Sequence, residues 1–402
     1  MNQYYPPDTS ATASVVETMA TALGNKFNVH IIAGRPSYNP KISHPWYFFR
    51  TTAENTISVT RVGSSAKSRH SMPKRLMNYF SYILLVIPHV IVSNPAAIIC
   101  MTDPPIVGCL GAFFARRKKC PFIYYIQDLH PDMALSSGMI KPGFLLNVWQ
   151  TIHQWILKRA DLVVVLDKDM RRRIISKGLK PDRIKIIRHG APLDLRKDSR
   201  KLNLMEHICN PFDFTVVHAG NLGFYGAWKT LIQAAKILET DNVGFIFTGE
   251  GAYKKDIQRM ASDCRNVRFL PFQPAEVLAD VLASGDIHLI TMQTGIEGMV
   301  SPSKLYPLLS AGRPILGVIH SQSDLASLIT RNKCGVVSDP DDPDAIVETV
   351  RMLKKNPRQL AEMGRQASKL SLKYDSANQF NRFVQLVKNT INTWPDSTES
   401  RS

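Results

Sequence analysis

Two glycine-rich turns follow apolar runs in the second half of the chain, and turns of this kind can bind phosphate. One is segment 218–223 (HAGNLG) and the other is segment 248–251 (TGEG). Because glycine has no Cβ, such turns let backbone N–H groups approach an anionic oxygen closely. Each turn alone is weak evidence, since a glycine after a strand often serves only the turn. Together they predict a diphosphate site that includes Gly220, Asn221, Gly249, Glu250 and Gly251.

A lysine at the start of a predicted helix adds positive charge to this site. Segment 298–315 reads GMVSPSKLYPLLSAGRPI, and Ser301 or Ser303 is placed to cap a helix there. The free N–H groups and the dipole at a helix amino end favour an anion. A lysine is usually better placed at the carboxyl end, so Lys304 indicates a nearby anion, with a solvent-facing lysine as the alternative. The pattern predicts pyrophosphate contacts from Ser301, Pro302, Ser303, Lys304 and Leu305.

In the first half, three polar residues follow an almost entirely apolar run. Asp128, His130 and Asp132 come after segment 121–127, which we predict to be a strand. Polar groups at the carboxyl end of a strand in an α/β domain face the ligand site. Asp128 and His130 are therefore candidate catalytic residues. The alternative is that Asp128 or Asp132 only caps the next helix.

The opening loop places small residues at the amino end of a predicted helix. Thr9, Ser10 and Ala11 leave room for a second substrate, and the free N–H groups there can bind a phosphate. These three residues are therefore candidates for contact with a second substrate. An ordinary helix N-cap is the alternative interpretation.

The residues before this loop lack an expected strand. Segment 2–7 (NQYYPP) reads as a loop, where a Rossmann-like domain needs a strand. A central first strand is thus expected to be absent, because the start codon is assigned too late or because the sheet tolerates the loss. We favour the first explanation, which predicts that the chain as given is poorly stable.

Two successive α/β domains are needed to position these residues. Short β-branched runs alternate with helical stretches, which is typical of βαβ units and parallel sheets. Predicted strands lie at 27–33, 57–62, 97–102, 121–127, 162–167 and 184–188, then at 214–219, 244–249, 267–270, 287–291, 315–318 and 335–337. The fold class is therefore α/β, with two Rossmann-like doubly wound domains and a ligand cleft at the carboxyl ends of their sheets. We place the domains at 1–195 and 212–375, a linker at 196–211, a C-terminal helix that packs back on the first domain at 376–394, and a polar tail at 395–402.

The net charge of +17 lies almost wholly in the first half of the chain. Residues 1–200 hold 28 Lys and Arg against 12 Asp and Glu, whereas residues 201–402 hold 22 against 21. Such a half favours an anionic partner, either a membrane surface or nucleic acid. Nucleic acid is disfavoured because no aromatic platform is interleaved with the basic residues.

An apolar run at 79–92 follows the basic segment 67–75 (KSRHSMPKR), and a second basic cluster lies at 116–119. At 14 residues the run falls short of the roughly 18–20 needed to span a bilayer. It is either a core helix or an interfacial segment next to these two basic segments. No signal peptide is recognised, and the six cysteines form no C-x-x-C pair, which indicates a reducing compartment and no structural zinc.

These motifs together resemble the bacterial retaining GT-B glycosyltransferases of family four, in particular the branch that builds O-antigen, capsule and exopolysaccharide on a lipid carrier. The matching segments follow the family's order and spacing over nearly the whole chain: 2–13 (NQYYPPDTSATA), 125–132 (YIQDLHPD), 217–223 (VHAGNLG), 247–251 (FTGEG), 269–276 (FLPFQPAE) and 302–314 (PSKLYPLLSAGRP). The resemblance implies a GT-B fold whose domains face a central cleft. It also implies retaining transfer of a hexosyl or N-acetylhexosaminyl unit from a UDP- or GDP-sugar to a lipid-diphosphate-linked glycan. It further implies a cytoplasmic enzyme, peripheral on the inner face of the plasma membrane, without metal, other cofactor or nucleic acid.

The chain departs from the family's pattern at several positions. Many members carry two glutamates seven residues apart before an A-x-G-x-P element, and those positions hold Met299 and Pro307 here. Glu297, two residues before Met299, is the candidate replacement for the first glutamate and a candidate donor contact. A His-Asp pair of the family falls on Gln127 and Asp128. The contact to the nucleotide ribose is therefore left without an assigned residue.

Three alternatives remain at this point. A sugar-nucleotide epimerase shares the fold, although the charge asymmetry counts against it. A non-catalytic subunit that binds a sugar nucleotide or a membrane would tolerate the two lost glutamates. The D-x-D triplet at 167–169 suggests a metal site, but it ends a predicted strand and precedes a helix, so we interpret it as a cap. In GT-B enzymes, ammonium groups and helix dipoles stabilise the leaving diphosphate instead.

Overall fold

A computed structural model of the protein describes residues 1–8, 10–37, 45–66, 72–191, 211–273 and 277–395. The chain divides into two compact units. The first comprises Met1–Arg188, Gly298–Val300 and Ala377–Ser402, and the second comprises His189–Glu297 and Ser301–Ser376. Apart from Pro211, the predicted linker lies outside the described residues, as do Thr9 and most of the predicted polar tail.

Seven strands of the first unit form two sheets. They are β1 (Val29–Gly34), β2 (Phe49–Glu54), β3 (Ile57–Val62), β4 (Ile98–Cys100), β5 (Phe122–Tyr125), β6 (Leu162–Val165) and β7 (Ile184–Ile186). One sheet has the order β1-β3-β2, and the other has the order β4-β5-β6-β7. All pairs are parallel except β2 with β3. Every residue of β5 and β6 is buried, which explains their continuous apolar sequences.

Strand β2 was not among the predicted strands. All six of its residues are exposed, so its sequence carries no alternating apolar pattern. A short turn at Asn55, where φ is +52°, joins it to β3. Antiparallel pairing with β3 therefore adds an edge strand that the pattern of apolar residues could not predict.

Helices flank these sheets. In the first unit they are α1 (Ala11–Gly24), α2 (Met72–Val92), α3 (Val107–Lys118), α4 (Asp132–Ser136), α5 (Phe144–Arg159) and α6 (Lys168–Ser176), with a 3-10 turn at Pro181–Arg183. Those of the second unit are α7 (Trp228–Ile237), α8 (Lys254–Met260), α9 (Leu278–Ala283), α10 (Leu305–Ser310), α11 (Asp324–Arg331), α12 (Pro343–Lys354) and α13 (Pro357–Lys373). The last helix, α14 (Ser376–Asn392), packs in the core of the first unit, where Phe383 stacks on Tyr125 at 5.4 Å.

In the described part of the second unit, six strands form a parallel sheet. They are β8 (Phe214–Ala219), β9 (Val243–Thr248), β10 (Val267–Leu270), β11 (Ile287–Thr291), β12 (Ile315–Val318) and β13 (Gly335–Ser338). The order is β10-β9-β8-β11-β12-β13, so the chain reverses its direction of travel across the sheet between β8 and β11. Ligands of doubly wound sheets bind beyond the carboxyl ends of the strands at such a reversal. The predicted α/β class with doubly wound parallel sheets is confirmed, and Gly220 follows β8 at the reversal.

Residues Met1–Gln3 lie between the two sheets of the first unit. The amino nitrogen of Met1 donates to Ile99 O at 2.6 Å, and Met1 O accepts from Met101 N at 3.2 Å. On the other side, Asn2 N donates to Ile32 O at 3.3 Å. These three residues therefore hydrogen bond to the β4 side and to the β1 side, as a central parallel strand does.

Candidate functional site

The two glycine-rich turns of the second unit pack against each other through their backbones. Gly220 and Gly249 have φ angles of +141° and +139°, which only glycine adopts readily. A Cβ on Gly249 would lie 2.0 Å from Gly220 O, and a Cβ on Gly251 would lie 2.3 Å from Leu222 O. The N–H of Gly220 donates to Thr248 O at 2.9 Å. The structure thus brings the predicted glycines together. The close packing of the two turns is by itself enough to require glycine at these positions.

Lys304 lies over the first of these turns. Its Nζ is 2.9 Å from Nε2 of the buried His218, and its Cε and Nζ are 3.5 Å from where a Cβ on Gly220 would stand. Burial lowers the pKa of Lys304 to about 7, and among the described residues no carboxylate contributes an opposing shift. The pKa of His218 is held well below its usual value, first by burial and then by the Lys304 charge. Lys304 is therefore not the solvent-facing lysine of the alternative interpretation, and an anion over Gly220 would stabilise its charge.

The predicted serine cap of the following helix is wrong. Helix α10 begins at Leu305, and Lys304 occupies the N-cap position without a side-chain capping hydrogen bond. Pro302 and Ser303 form a turn before the helix, and their carbonyl oxygens accept from Leu305 N and Tyr306 N at 3.4 and 3.3 Å. The hydroxyls of Ser301 and Ser303 are therefore not used for capping. The side chain of Leu305 is only 2% exposed, so it packs in the core and offers no surface to a ligand.

Other predicted donor residues lie on loops of the second unit. Asn221 and Glu250 are exposed, and Glu250 pairs with Lys254 at 2.7 Å. Glu297 accepts from Gly295 N at 3.1 Å. These polar side chains follow β8, β9 and β11, at the carboxyl edge of the sheet.

The positions of the two lost glutamates have structural roles. Met299 belongs to the first unit, where its carbonyl oxygen accepts from Leu129 N at 2.8 Å and its sulfur contacts Ser136. Pro307 lies inside α10. Neither position supplies a polar side chain for a ribose.

Asp128 lies at the carboxyl end of β5 in the first unit, beside the end of β4. The backbone N–H groups of Gln127 and Asp128 donate to Thr102 Oγ1 at 3.2 and 3.4 Å. The pKa of Asp128 is raised to about 7, first by burial and then by the negative charge of Asp103, while Arg75 opposes the rise. Asp128 can therefore exchange a proton near neutral pH. Thr102, Asp103 and Arg75 were not predicted as site residues, although Thr102 ends a predicted strand next to that of Asp128.

His130 has a different environment from Asp128. Its ring is 7% exposed and stacks on Trp149 at 5.6 Å with an interplanar angle of 11°. The pKa of His130 is lowered to about 3, first by burial and then by the charges of Arg75 and His153, while Asp132 opposes the shift. The imidazole is therefore neutral and held by packing, which suits positioning of the loop better than proton transfer.

Asp132 and Ser10 have helix-starting roles in the first unit. Asp132 is the first residue of α4 and forms an ion pair with Lys177 at 2.8 Å. Ser10 is the N-cap of α1, and its Oγ accepts from Ala13 N at 3.1 Å. Ala11 is exposed at the start of that helix. The ordinary N-cap interpretation thus holds for the Ser10 side chain, and Thr9 lies outside the described residues.

The D-x-D triplet caps a helix. Asp167 Oδ1 accepts from Met170 N at 2.7 Å at the start of α6, and Asp169 forms an ion pair with Arg172. Within the described parts of the chain, no three His, Cys, Asp or Glu side chains are grouped as metal ligands. Both carboxylates of the triplet therefore have structural partners.

Comparison with known proteins agrees with this arrangement. The family described as "Glycosyl transferase 4-like domain" matches residues 10–190, and "Glycosyl transferases group 1" matches residues 209–370. WbjE of Pseudomonas aeruginosa, assigned as a glycosyltransferase, is 24% identical over 268 residues, which cover 64% of each chain. WcaI of Escherichia coli (strain K12), assigned as a colanic acid biosynthesis glycosyl transferase, is 25% identical over 61% of this chain and 62% of that protein. The chain thus spans less than two thirds of the length of either relative.

A solved structure shares the fold over nearly the whole chain. The crystal structure of Anabaena Alr3699/HepE in complex with UDP and glucose has a TM-score of 0.69 and covers 98% of both chains at 14% identity. At this identity the similarity establishes the fold alone. The two family matches show that the chain belongs to the glycosyltransferases of the family-four type, and the solved structure shows that its fold is GT-B.

Proposed function

We propose that the protein transfers a hexosyl or N-acetylhexosaminyl unit from a UDP- or GDP-sugar to a lipid-diphosphate-linked glycan, with retention of anomeric configuration. The observation that carries the proposal is the desolvated Lys304 beside the Gly220 turn, on the edge of the sheet where its order reverses. A cation at that place suits the diphosphate of a nucleotide sugar. The relatives assigned to glycosyl transfer, one of them in colanic acid biosynthesis, support the polysaccharide context.

In this proposal Lys304 stabilises the charge that develops on the leaving diphosphate. The turns at Gly220 and Gly249 carry no side chains and so leave room for the diphosphate, while the N–H groups of these two glycines donate to Thr248 O and Leu270 O. The proposal includes no metal ion. Stabilisation of this kind acts most strongly where water is excluded, as the low pKa of Lys304 indicates for its ammonium group. Asn221, Glu250, Gly251, Glu297 and the 301–303 turn complete the donor site. Because HepE binds UDP, UDP-sugars are the first donors to test.

The first unit is proposed to bind the acceptor. In this proposal Asp128 orients a hydroxyl group of the acceptor, whose proton goes to the leaving phosphate, and neutral His130 fixes the loop beside Asp128. Ser10 and Ala11 begin α1, and the positive end of the helix dipole there suits an acceptor phosphate. The leaving phosphate serves as the base in a front-face retaining reaction.

Helix α2 supports the proposed location on the inner face of an anionic plasma membrane. Among the described residues, Pro73–Val92 is the one helix of 20 residues apolar enough to cross a membrane by length and composition, and 22% of its apolar window is buried. The helix is longer than the 14-residue apolar run 79–92 because it begins before residue 79. One face, with Tyr82, Val86 and Val90, is buried, whereas Phe80 and Leu84 on another face are more than half exposed.

Basic residues lie beside this apolar face. Lys118, at the end of α3, donates to the Ile91 carbonyl oxygen of α2, and Arg116 and Arg117 precede it. Lys74 is exposed in the first turn of α2. Apolar side chains flanked by basic ones favour an interfacial helix on anionic lipid.

A donor panel tests the proposed activity. Purified protein is incubated with UDP- and GDP-sugars, with and without membranes that contain lipid-diphosphate-linked glycans. The proposal expects transfer of label into the lipid fraction for one donor only, and the anomeric configuration of the product is read by NMR. Conversion of the sugar nucleotide without an acceptor would support the epimerase instead. Binding of a donor without turnover would support a non-catalytic subunit, and inversion would overturn the retaining mechanism.

A further inference from the structure

A cavity of about 680 Å³ lies in the first unit between β1 and β4. Residues 27–32 form one wall and residues 93–99 form another. The remaining lining is mainly aliphatic: Val16, Met19 and Leu23 of α1, Val90 of α2, and Val387 and Ile391 of α14. The cavity is thus bounded by two strands at its edges and by helices over its faces.

The cavity extends a gap that one strand-like segment, Met1–Gln3, already bridges. Strand β1 ends one sheet and β4 ends the other, and Met1–Gln3 hydrogen bonds to both sides. Strands that share one intervening strand lie about 9.6 Å apart, twice the ordinary spacing. The cavity continues this gap on the amino side of Met1, so its two edges are already set for strand pairing.

Backbone groups on both edges face the gap. Val29 N donates to Thr56 O, beside β3, and Ile98 N donates to Pro121 O, beside β5. Successive residues of a strand in a parallel sheet direct their backbone groups to opposite edges. The N–H groups of Ile32 and Ile99 therefore face the gap, at positions next to those that already bond Met1–Gln3.

We propose that this cavity is a strand-binding slot, which takes an extended aliphatic segment joined to the amino nitrogen of Met1. The segment runs parallel to β1 and β4 and continues the hydrogen-bond pattern of Met1–Gln3 through about five residues. Because helices cover both faces, β-branched or other aliphatic side chains suit every position of the occupant. With the slot filled, the two sheets become one sheet of order β2-β3-β1-slot-β4-β5-β6-β7. The proposal is independent of the donor and acceptor proposed above.

Matched amino-terminal extensions of the full chain test this proposal. One extension places Met-Lys-Val-Ile-Val-Ile before Met1, a second places Met-Lys-Ser-Gly-Ser-Gly there, and a third replaces both valines of the first with proline. All three convert the charged amino group into a peptide N–H, so this change cancels in the comparison. The third keeps an apolar composition but cannot donate two of the ladder hydrogen bonds.

Thermal unfolding and amide hydrogen exchange are measured for each extended chain. The aliphatic extension is expected to raise Tm by about 4 °C or more over both controls. It is also expected to slow exchange at the Ile32 and Ile99 amides by about tenfold or more, without a similar change at β12 of the second unit. Equal Tm values and equal exchange at Ile32 and Ile99 in all three chains would overturn the proposal. An increase in Tm without protection of these amides would also overturn it, since the segment would then bind outside the slot.

Discussion

Lys304 Nζ lies 2.9 Å from His218 Nε2, so the contact of this lysine is an imidazole rather than a carboxylate. Two nitrogen bases in a buried place cannot both carry charge at low cost, and the pKa of each is lowered. A carboxylate partner would satisfy the lysine within the protein. With a neutral histidine instead, the ammonium group keeps its capacity to bind a ligand anion.

The Lys304→Ala variant is expected to lose affinity for the diphosphate specifically. A charge-assisted contact to phosphate contributes about 1.5–3 kcal/mol, so the Kd for UDP should rise roughly tenfold to a hundredfold. Uridine binding should change little, because the nucleoside carries no phosphate. Isothermal titration with UDP and uridine measures both.

Lys229→Ala is the matched control for this variant. Lys229 is exposed on α7 of the same unit, so its removal changes the net charge equally without touching the site. UDP affinity should be unchanged in this control. Equal losses for UDP and uridine in Lys304→Ala would show that Lys304 supports the fold rather than the phosphate.

Diphosphate binding is expected to take up a proton near pH 8. The pKa of free Lys304 is about 7, so at pH 8 the group is mostly neutral. A bound anion favours the charged form and raises this pKa, so UDP affinity should fall as pH increases above 7. Titration at pH 8 in two buffers of different ionisation enthalpy should give an uptake approaching one proton. Lys304→Ala should show none, and a wild-type protein without uptake would contradict the assignment.

Patterns that depend on local spacing predicted much of this structure. Parallel strands such as β5 and β9 are buried throughout, so their continuous apolar sequences predicted them. The turns at Gly220 and Gly249 were predicted because each glycine comes directly after such a strand. Strand β2 could not be predicted in this way, because all of its residues are exposed. The environments of Lys304 and Asp128 could not be predicted either, because tertiary packing brings His218 into contact with Lys304 and places the charge of Asp103 near Asp128. Sequence alone also gave no reason to expect that Ser301 and Ser303 would lie in a turn before α10.

Asp128→Asn is expected to lower kcat by about a hundredfold or more, with a small change in the KM for the donor. Its effect on stability should depend on pH. The raised pKa, about 7, means that ionisation of Asp128 destabilises the folded state. This penalty is absent below the unfolded pKa near 4, grows as pH rises to about 7, and is constant above. The variant should therefore gain Tm relative to wild type between pH 4 and pH 8.

Asp132→Asn provides the contrast in the same loop. Asp132 pairs with Lys177 at 2.8 Å, so this variant loses an ion pair and should not gain Tm with increasing pH. Transfer activity should remain close to wild type if Asp132 only starts α4. A pH-independent Tm difference for Asp128→Asn would show that Asp128 is ionised throughout this range and does not hold a proton near neutrality.

Leu84→Glu is expected to weaken membrane binding through the apolar face of α2. Leu84 is 65% exposed, so the substitution leaves the core intact while it removes an aliphatic side chain and adds a negative charge. Burial of a leucine contributes about 1.5–3 kcal/mol, so partitioning into anionic liposomes should fall about tenfold or more. Leu372→Glu is the control, because Leu372 is 56% exposed on α13 of the second unit. In flotation assays the control should bind as wild type does, and wild-type binding should decrease steeply with salt because the basic residues contribute. Equal flotation of the two variants, or flotation that does not respond to salt, would contradict a basic and apolar membrane surface centred on α2.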